Sequence, residues 1–331
     1  MKFKFIILFA LLVSLNSAVK AKTPSPDSNE KIEVTPSPMD NACPADSKLP
    51  KITLVLGGGG CKALAEIGVL KVFERNHIPI HYIVGTSAGA IIGALYAAEV
   101  PLADIEELAI DGKLQGAMNP NLTFRVITLP LVKLIHFGKI YAGLTNGSDL
   151  EKFLRKKLPS EFANLKIPFA AIATDLESGN TCMITNGDLC KAIVASSAVP
   201  VLVRPVTIDN TIFIDGGIKA NLPTNCAQLT GADLIVAVPA DTPIRKVNKR
   251  EFRSLRGLTA RITDIMEVEI DKHRWQEANL VIYPSIGDTP AITKDPQIIK
   301  DTISAGEAAA TEALPRLKTL IKSKTSSSSA K

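Results

Sequence analysis

The chain has 331 residues, 46% hydrophobic and 5% aromatic, with a formal net charge of +5, enough apolar content for one large α/β domain or two small ones. No repeat of solenoid period is visible, and no Cys/His cluster has metal-ligand spacing. The one strongly basic run, 245–261, interleaves no aromatic residue beyond Phe252, which argues against nucleic acid as a partner.

Met-Lys-Phe-Lys opens the chain, an apolar run follows over 5–13, and Val19-Lys20-Ala21 closes it. This pattern predicts a secretory signal peptide over 1–21, cleaved near Ala21, and hence a periplasmic or secreted protein. The run falls short of the ~20 residues a membrane span needs. Residues 22–50 carry Pro24, Pro26, Pro36, Pro38, Pro44 and Pro50 among polar side chains, a composition expected to form an extended linker. The folded unit is expected over 51–320, and the Ser/Lys-rich stretch 321–331 as a disordered tail.

Within that unit, "KITLVL" (51–56) is β-rich and runs into four glycines, and "ALAEIGVLKVFERN" (63–76) has helical spacing. "HYIVG" (81–85) reads as a second strand. "AGAIIGALYAAE" (88–99) reads as a helix so uniformly apolar that it must be deeply buried. Short apolar runs recur at 169–175, 181–185, 211–215 and 233–240, with helices fitting between several of them. The alternation predicts an α/β fold with a mostly parallel central sheet and helices on both faces. Ligands gather at the carboxyl ends of such strands, which sets Gly57–Gly60, Ser87, Asp175 and Asp215 on one edge.

Gly85-Thr86-Ser87-Ala88-Gly89 places a serine on a tight strand-to-helix bend, where Gly85 and Gly89 leave its approach open. The glycine loop before it, "GGGGCKA", presents backbone N–H groups suited to an anion. Gly58-x-Gly60-x-x-Ala63 fits a dinucleotide fingerprint, but the next strand ends in Gly85-Thr86-Ser87 with no carboxylate for a ribose. Lys62 followed by Ala63 excludes a Walker A loop. The favoured anion is the oxygen of a tetrahedral intermediate at Ser87, with a nucleotide or a purely structural turn as rivals. Of the possible bases, His77, His81, His136 and His273 follow no strand end. Asp215 does, and Gly216-Gly217 allows an abrupt turn after it. An ordinary carboxylate, with a pKa of about 3.9, is a weak base unless burial raises it. A turn-capping aspartate is the plain alternative.

Gly58-Gly59-Gly60-Cys61-Lys62, Gly85 to Gly89 and Asp215-Gly216-Gly217 together resemble the three motifs of patatin-like phospholipases, here of the bacterial type with a signal peptide. The likeness continues through "ATDLESG" (173–179), "AIVASSAVP" (192–200) and 287–309, and so covers nearly all of 51–320. It implies a three-layer fold and a Ser–Asp dyad without histidine, Ser87 as nucleophile and Asp215 as base. It also implies that the amides of Gly58, Gly59 and Gly60 hold the oxyanion, that Lys62 supports that loop or its charge, and that Asn221 and Pro223 shape the aspartate loop. Ala63 stands where the family usually has glycine, and Glu66 where it often has histidine. The implied activity is that of a lipid acyl hydrolase or phospholipase A, acting on phospholipids or related acyl esters without metal or other cofactor. An esterase with a Ser–Asp–His triad through His273 and a non-catalytic lipid-binding homologue are the competing readings.

Membrane-surface contact is expected from two segments. Residues 124–143 are apolar with interleaved Arg125, Lys133 and Lys139, suited to an acyl channel or a bilayer surface unless they pack as ordinary core. Residues 245–261 hold seven basic residues and one acid, which attract anionic head groups unless they are a solvated loop. Of the five cysteines, Cys182 and Cys190 flank the turn in "MITNGDL" and could pair across it in an exported chain, the favoured reading, with an unpaired buried thiol as the alternative for each.

Overall fold

A computed structural model describes residues 31–35, 49–118, 143–241, 244–253 and 255–328. The expected signal peptide, Cys43, His136 and nearly all of the 124–143 segment lie outside them. The strands are β1 (Ile32–Val34), β2 (Ile52–Leu56), β3 (Tyr82–Thr86), β4 (Phe169–Asp175), β5 (Thr181–Ile184), β6 (Val206–Ile208), β7 (Thr211–Asp215), β8 (Leu234–Val238) and β9 (Leu280–Val281). The helices are α1 (Ala65–Arg75), α2 (Ala88–Ala97), α3 (Leu102–Ile110), α4 (Lys113–Met118), α5 (Ser148–Leu154), α6 (Leu189–Ser196), α7 (Thr224–Gln228), α8 (Leu255–Asp271) and α9 (Pro296–Ser328).

The strands form one sheet in the order β1-β5-β4-β3-β2-β8-β9, with β7 paired to β4 and β6 to β7. From β4 to β9 the neighbours are parallel. The central strands read as continuous apolar runs because both of their faces are covered. Alternate residues enter two cores. Leu54, Leu56, Ile83 and Ala171 pack with α1, α2 and α9, whereas Val55, Val84, Ile172 and Ala237 pack with Leu222 and Cys226 around α7. The architecture is α/β, a mostly parallel sheet with helices on both faces.

What positions the site is the meeting of two strand ends on one edge of β4. Strand β3 runs parallel to β4 and ends with Thr86 opposite Ile172. Strand β7 runs antiparallel and ends with Asp215 opposite Ala173. Ser87, the residue after β3, therefore lies beside Asp215, 128 positions away in sequence. Asp215 thus reaches the site from the opposite direction to Ser87, and not from the carboxyl end of a parallel strand.

Three further expectations are corrected. Ile32–Val34, assigned to the linker, adds to the sheet parallel to β5, with Ile32 packing on the second core. The expected disordered tail is helical to Ser328, because Leu317 is buried and Leu320 and Ile321 still pack on the core. Among the described residues Cys182 and Cys190 form no disulfide, and neither do Cys61 and Cys226. Cys182 turns towards Glu33 of β1, 3.8 Å from its Oε2, and Cys190 is buried in the first turn of α6.

Candidate active site

Ser87 sits between β3 and α2 with φ +52° and ψ −119°, a conformation a non-glycine residue adopts only when its surroundings impose it. Those surroundings are specific. The Ser87 N–H donates to Ser196 Oγ at 2.9 Å, and Ser196 in turn donates to the Ile172 carbonyl at 2.6 Å. The Ser87 carbonyl accepts from the amides of Ala90 and Ile91 and from Ser197 Oγ. Gly89 allows α2 to start directly over β2, since a Cβ there would stand 2.5 Å from the Leu56 carbonyl oxygen. The positive end of α2 consequently lies at the serine.

Ser87 Oγ donates to Asp215 Oδ2 at 2.7 Å. The other carboxylate oxygen accepts the Gly217 N–H at 2.7 Å, so the turn made by Gly216-Gly217 aims the carboxylate. Thr174 Oγ1 donates to the Asp215 carbonyl, and the Asp215 N–H donates to the Ala198 carbonyl. Asp215 is 5% exposed. Burial raises its carboxyl to about 6, and the bonds from Gly217 and Ser87 offset only part of that. A buried carboxylate raised to about 6 and bonded to a strained serine has the geometry of a base and its nucleophile.

The glycine loop divides its amides. Gly58 lies against Ser87, but its N–H donates to the Asn221 carbonyl at 3.1 Å and is not available to a substrate oxygen. This corrects the expectation that all three glycines hold an oxyanion. The Gly59 and Gly60 amides have no hydrogen-bond partner among the described residues. Gly60 has φ +58°, and the next amide, Cys61 N–H, is tethered to the Ala291 carbonyl at 2.9 Å. The Lys62 ammonium points away to Asp264 Oδ1 at 2.5 Å, so its charge anchors α8. Asn221 joins the two loops: its carbonyl holds Gly58, and its side chain lies against Gly217.

No described histidine hydrogen-bonds to Ser87 or Asp215. His81 Nδ1 accepts the Ile52 N–H at 3.0 Å, a structural role, and burial lowers its pKa. His273 precedes the turn Arg274–Glu277. Asp175 accepts from Ser178 Oγ and the Glu177 amide and closes its own turn apart from the dyad.

The sequence model of the patatin-like phospholipases matches residues 54–227, a span that includes the glycine loop, Ser87 and Asp215. The chain belongs to the patatin-like phospholipase family. An uncharacterized NTE family protein of Mycobacterium tuberculosis is 32% identical over 193 residues, 58% of this chain and 49% of that protein. Patatin-like phospholipase domain-containing protein 7 of Mus musculus is 28% identical over 189 residues, 56% of this chain and 13% of that protein. The match thus spans about half the length of the mycobacterial relative and a small part of the mouse one. The crystal structure of VipD from Legionella pneumophila aligns with a TM-score of 0.47 at 15% identity, covering 82% of this chain and 67% of that one.

The family match stops at residue 227, and the residues that sequence reasoning missed lie largely beyond it. Asp271, at the end of α8, accepts Asn221 Nδ2 at 2.9 Å and the Leu222 N–H at 2.7 Å, and so fixes the loop that carries Asp215. Burial raises Asp271 to about 7 and Glu267 to about 8, the latter despite Lys62 nearby. Asp241, also buried, is raised to about 6, and neither of its carboxylate oxygens has a partner among the described residues. Asp241 and Glu267 both lie near Lys62, whose single charge offsets only part of the effect of burial.

Glu66, in the first turn of α1, is fully buried, with neither carboxylate oxygen hydrogen-bonded among the described residues. Burial holds its pKa well above the usual range, offset only in part by the nearby Gly57 amide, which donates to the Val238 carbonyl. In the unfolded chain Glu66 ionises above about pH 4.3, whereas burial in the folded protein moves that ionisation to higher pH. Its raised pKa therefore costs stability progressively as pH rises through that window. Glu66→Gln is isosteric and uncharged throughout. Its melting temperature should gain on the wild type as pH rises above about 4.3, by roughly 2–4 °C for each pH unit until the folded carboxyl itself ionises. Thermal melts across that range check this, and a constant difference would exclude a buried protonated Glu66.

Proposed function

We propose that this patatin-family chain is a serine lipid acyl hydrolase in which Ser87 and Asp215 form a two-residue catalytic dyad. The observation that carries the reading is the 2.7 Å bond from Ser87 Oγ to Asp215 Oδ2. In the first half-reaction Ser87 Oγ attacks the ester carbonyl carbon and Asp215 Oδ2 takes its proton. The Gly59 and Gly60 amides stabilise the oxyanion. On collapse the alcohol, a lyso-lipid when the substrate is a phospholipid, leaves with the proton from Asp215. A water then gives its proton to Asp215 and attacks the acyl-enzyme, and the fatty acid departs as Ser87 is reprotonated. Neither half-reaction calls for a metal or another cofactor.

The raised pKa of Asp215 brings the base closer to the operating pH while leaving it mostly ionised at neutrality. Family membership supports a phospholipid or related acyl ester as substrate. The basic–apolar–small pattern of residues 1–21 supports export of the enzyme to the periplasm or beyond. A fluorophosphonate probe should label Ser87 alone, and Ser87→Ala should lose both the label and ester turnover. Peptide mass analysis locates the label, and a different labelled serine would overturn the assignment.

A further inference from the structure

Helix α8 is built the wrong way round for a surface helix. Asp264, Glu267 and Asp271, spaced i, i+3, i+7, turn inward, the first two to Lys62 and the third to Asn221 and Leu222. On the opposite side Leu258, Ile262, Ile265 and Met266, spaced i, i+4, i+7, i+8, are 41%, 49%, 47% and 46% exposed. An apolar stripe on a helix normally faces a core. Here the acidic face is turned inward and the stripe meets solvent. Phe252 and Ile244, in the segment leading into the helix, are also exposed. That segment carries exposed Arg245, Lys246, Lys249 and Arg253. Arg245 pairs with Asp288, but Lys246, Lys249 and Arg253 make no ion pair among the described residues.

We propose that α8 and the basic segment before it form the surface by which the protein docks on an anionic lipid bilayer. The stripe spans only ~12 Å of helix, from Leu258 to Met266. That is too little for the ~800 Å² per partner of a stable protein interface. A second copy docked head to head would also set cation against cation. A bilayer demands no matching shape: the aliphatic side chains enter the acyl boundary and the lysines and arginines meet anionic head groups. The geometry also gives the surface a use. The inward face of α8 is bonded to the Asn221 loop and to Lys62 of the glycine loop, so docking brings the dyad within about one helix diameter of the lipid. This use rests on the proposed lipid acyl hydrolase, whereas the docking itself does not.

The test separates the two. The whole chain carrying Ser87→Ala is sedimented with phosphatidylcholine vesicles, with and without phosphatidylglycerol. The expected result is binding that depends on phosphatidylglycerol and falls at least about tenfold in two variants. One is Ile262→Ser/Ile265→Ser/Met266→Ser and the other is Lys246→Glu/Lys249→Glu/Arg253→Glu. With Ser87 restored, both variants should keep turnover of soluble p-nitrophenyl butyrate to within about threefold, while hydrolysis of vesicle phospholipid falls with binding. Undiminished vesicle binding in both variants would overturn the proposal. So would a dimer, seen by analytical ultracentrifugation, that the stripe variant dissociates, since the stripe would then serve a second copy. Absence of p-nitrophenyl butyrate turnover in the wild type would count against the hydrolase reading and leave the vesicle result standing.

Discussion

Asp215→Asn should lower turnover by ~10²–10⁴-fold with little change in fold. The amide has the shape of the carboxylate and retains one oxygen to accept the Gly217 N–H, so the turn at Gly216-Gly217 survives. Its Nδ2 then faces Ser87 Oγ as a donor where Asp215 Oδ2 accepts, so the serine proton has no destination. His77→Ala, His81→Ala, His136→Ala and His273→Ala, made singly, should each stay within about tenfold of wild type, under ~1.4 kcal/mol in barrier. His81→Ala should lose some stability, because the Ile52 N–H loses its acceptor, but not turnover. The wild-type kcat/KM should rise with pH through about 6, since only ionised Asp215 can take the proton. That limb should vanish from the residual activity of Asp215→Asn. A histidine variant that stays folded by circular dichroism yet loses as much as Asp215→Asn would replace the dyad by a triad.

Local pattern carried the strand-to-helix bend at Ser87 and the strand-end turn at Asp215, because apolar runs flanked by glycine write those features into a few consecutive residues. It did not carry strand direction. "TIFID" reads the same whether it runs with β4 or against it, and only pairing across the chain, Asp215 opposite Ala173, decides. The same limit explains β1: three residues in a Pro-rich stretch look like linker until the edge of β5 is there to receive them. Glycine composition announced an anion-binding loop, but not that Asn221 would consume the Gly58 amide. Asp271 gave no local signal, since an aspartate closing a charged helix normally faces water. Its role arises from the packing of α8 over the Asn221 loop.

Gly60→Ala should lower kcat by ~10²–10³-fold, the loss associated with a displaced oxyanion donor. A Cβ at this position would stand 2.3 Å from the Ala291 carbonyl oxygen, the acceptor that tethers Cys61 N–H. The loop has to move to relieve that contact, and the Gly59 and Gly60 amides move with it. Ser87 and Asp215 are held by other bonds, to Ser196, Thr174, Gly217 and Ala198, and stay in place. Backbone strain alone is controlled by Gly287→Ala. Gly287 has the same φ of +58°, but nothing lies within 4 Å of its would-be Cβ. Both variants should lose ~1 kcal/mol of stability to the left-handed conformation, measured by urea unfolding, with Gly60→Ala losing more through the clash. Only Gly60→Ala should lose turnover, and the loss should fall on kcat while KM holds, because a donor aimed at the tetrahedral oxygen acts in the transition state. If Gly60→Ala is folded and turns over ester within about threefold of Gly287→Ala, the oxyanion is held elsewhere, and the Ala88 and Gly89 amides at the start of α2 become the donors to test.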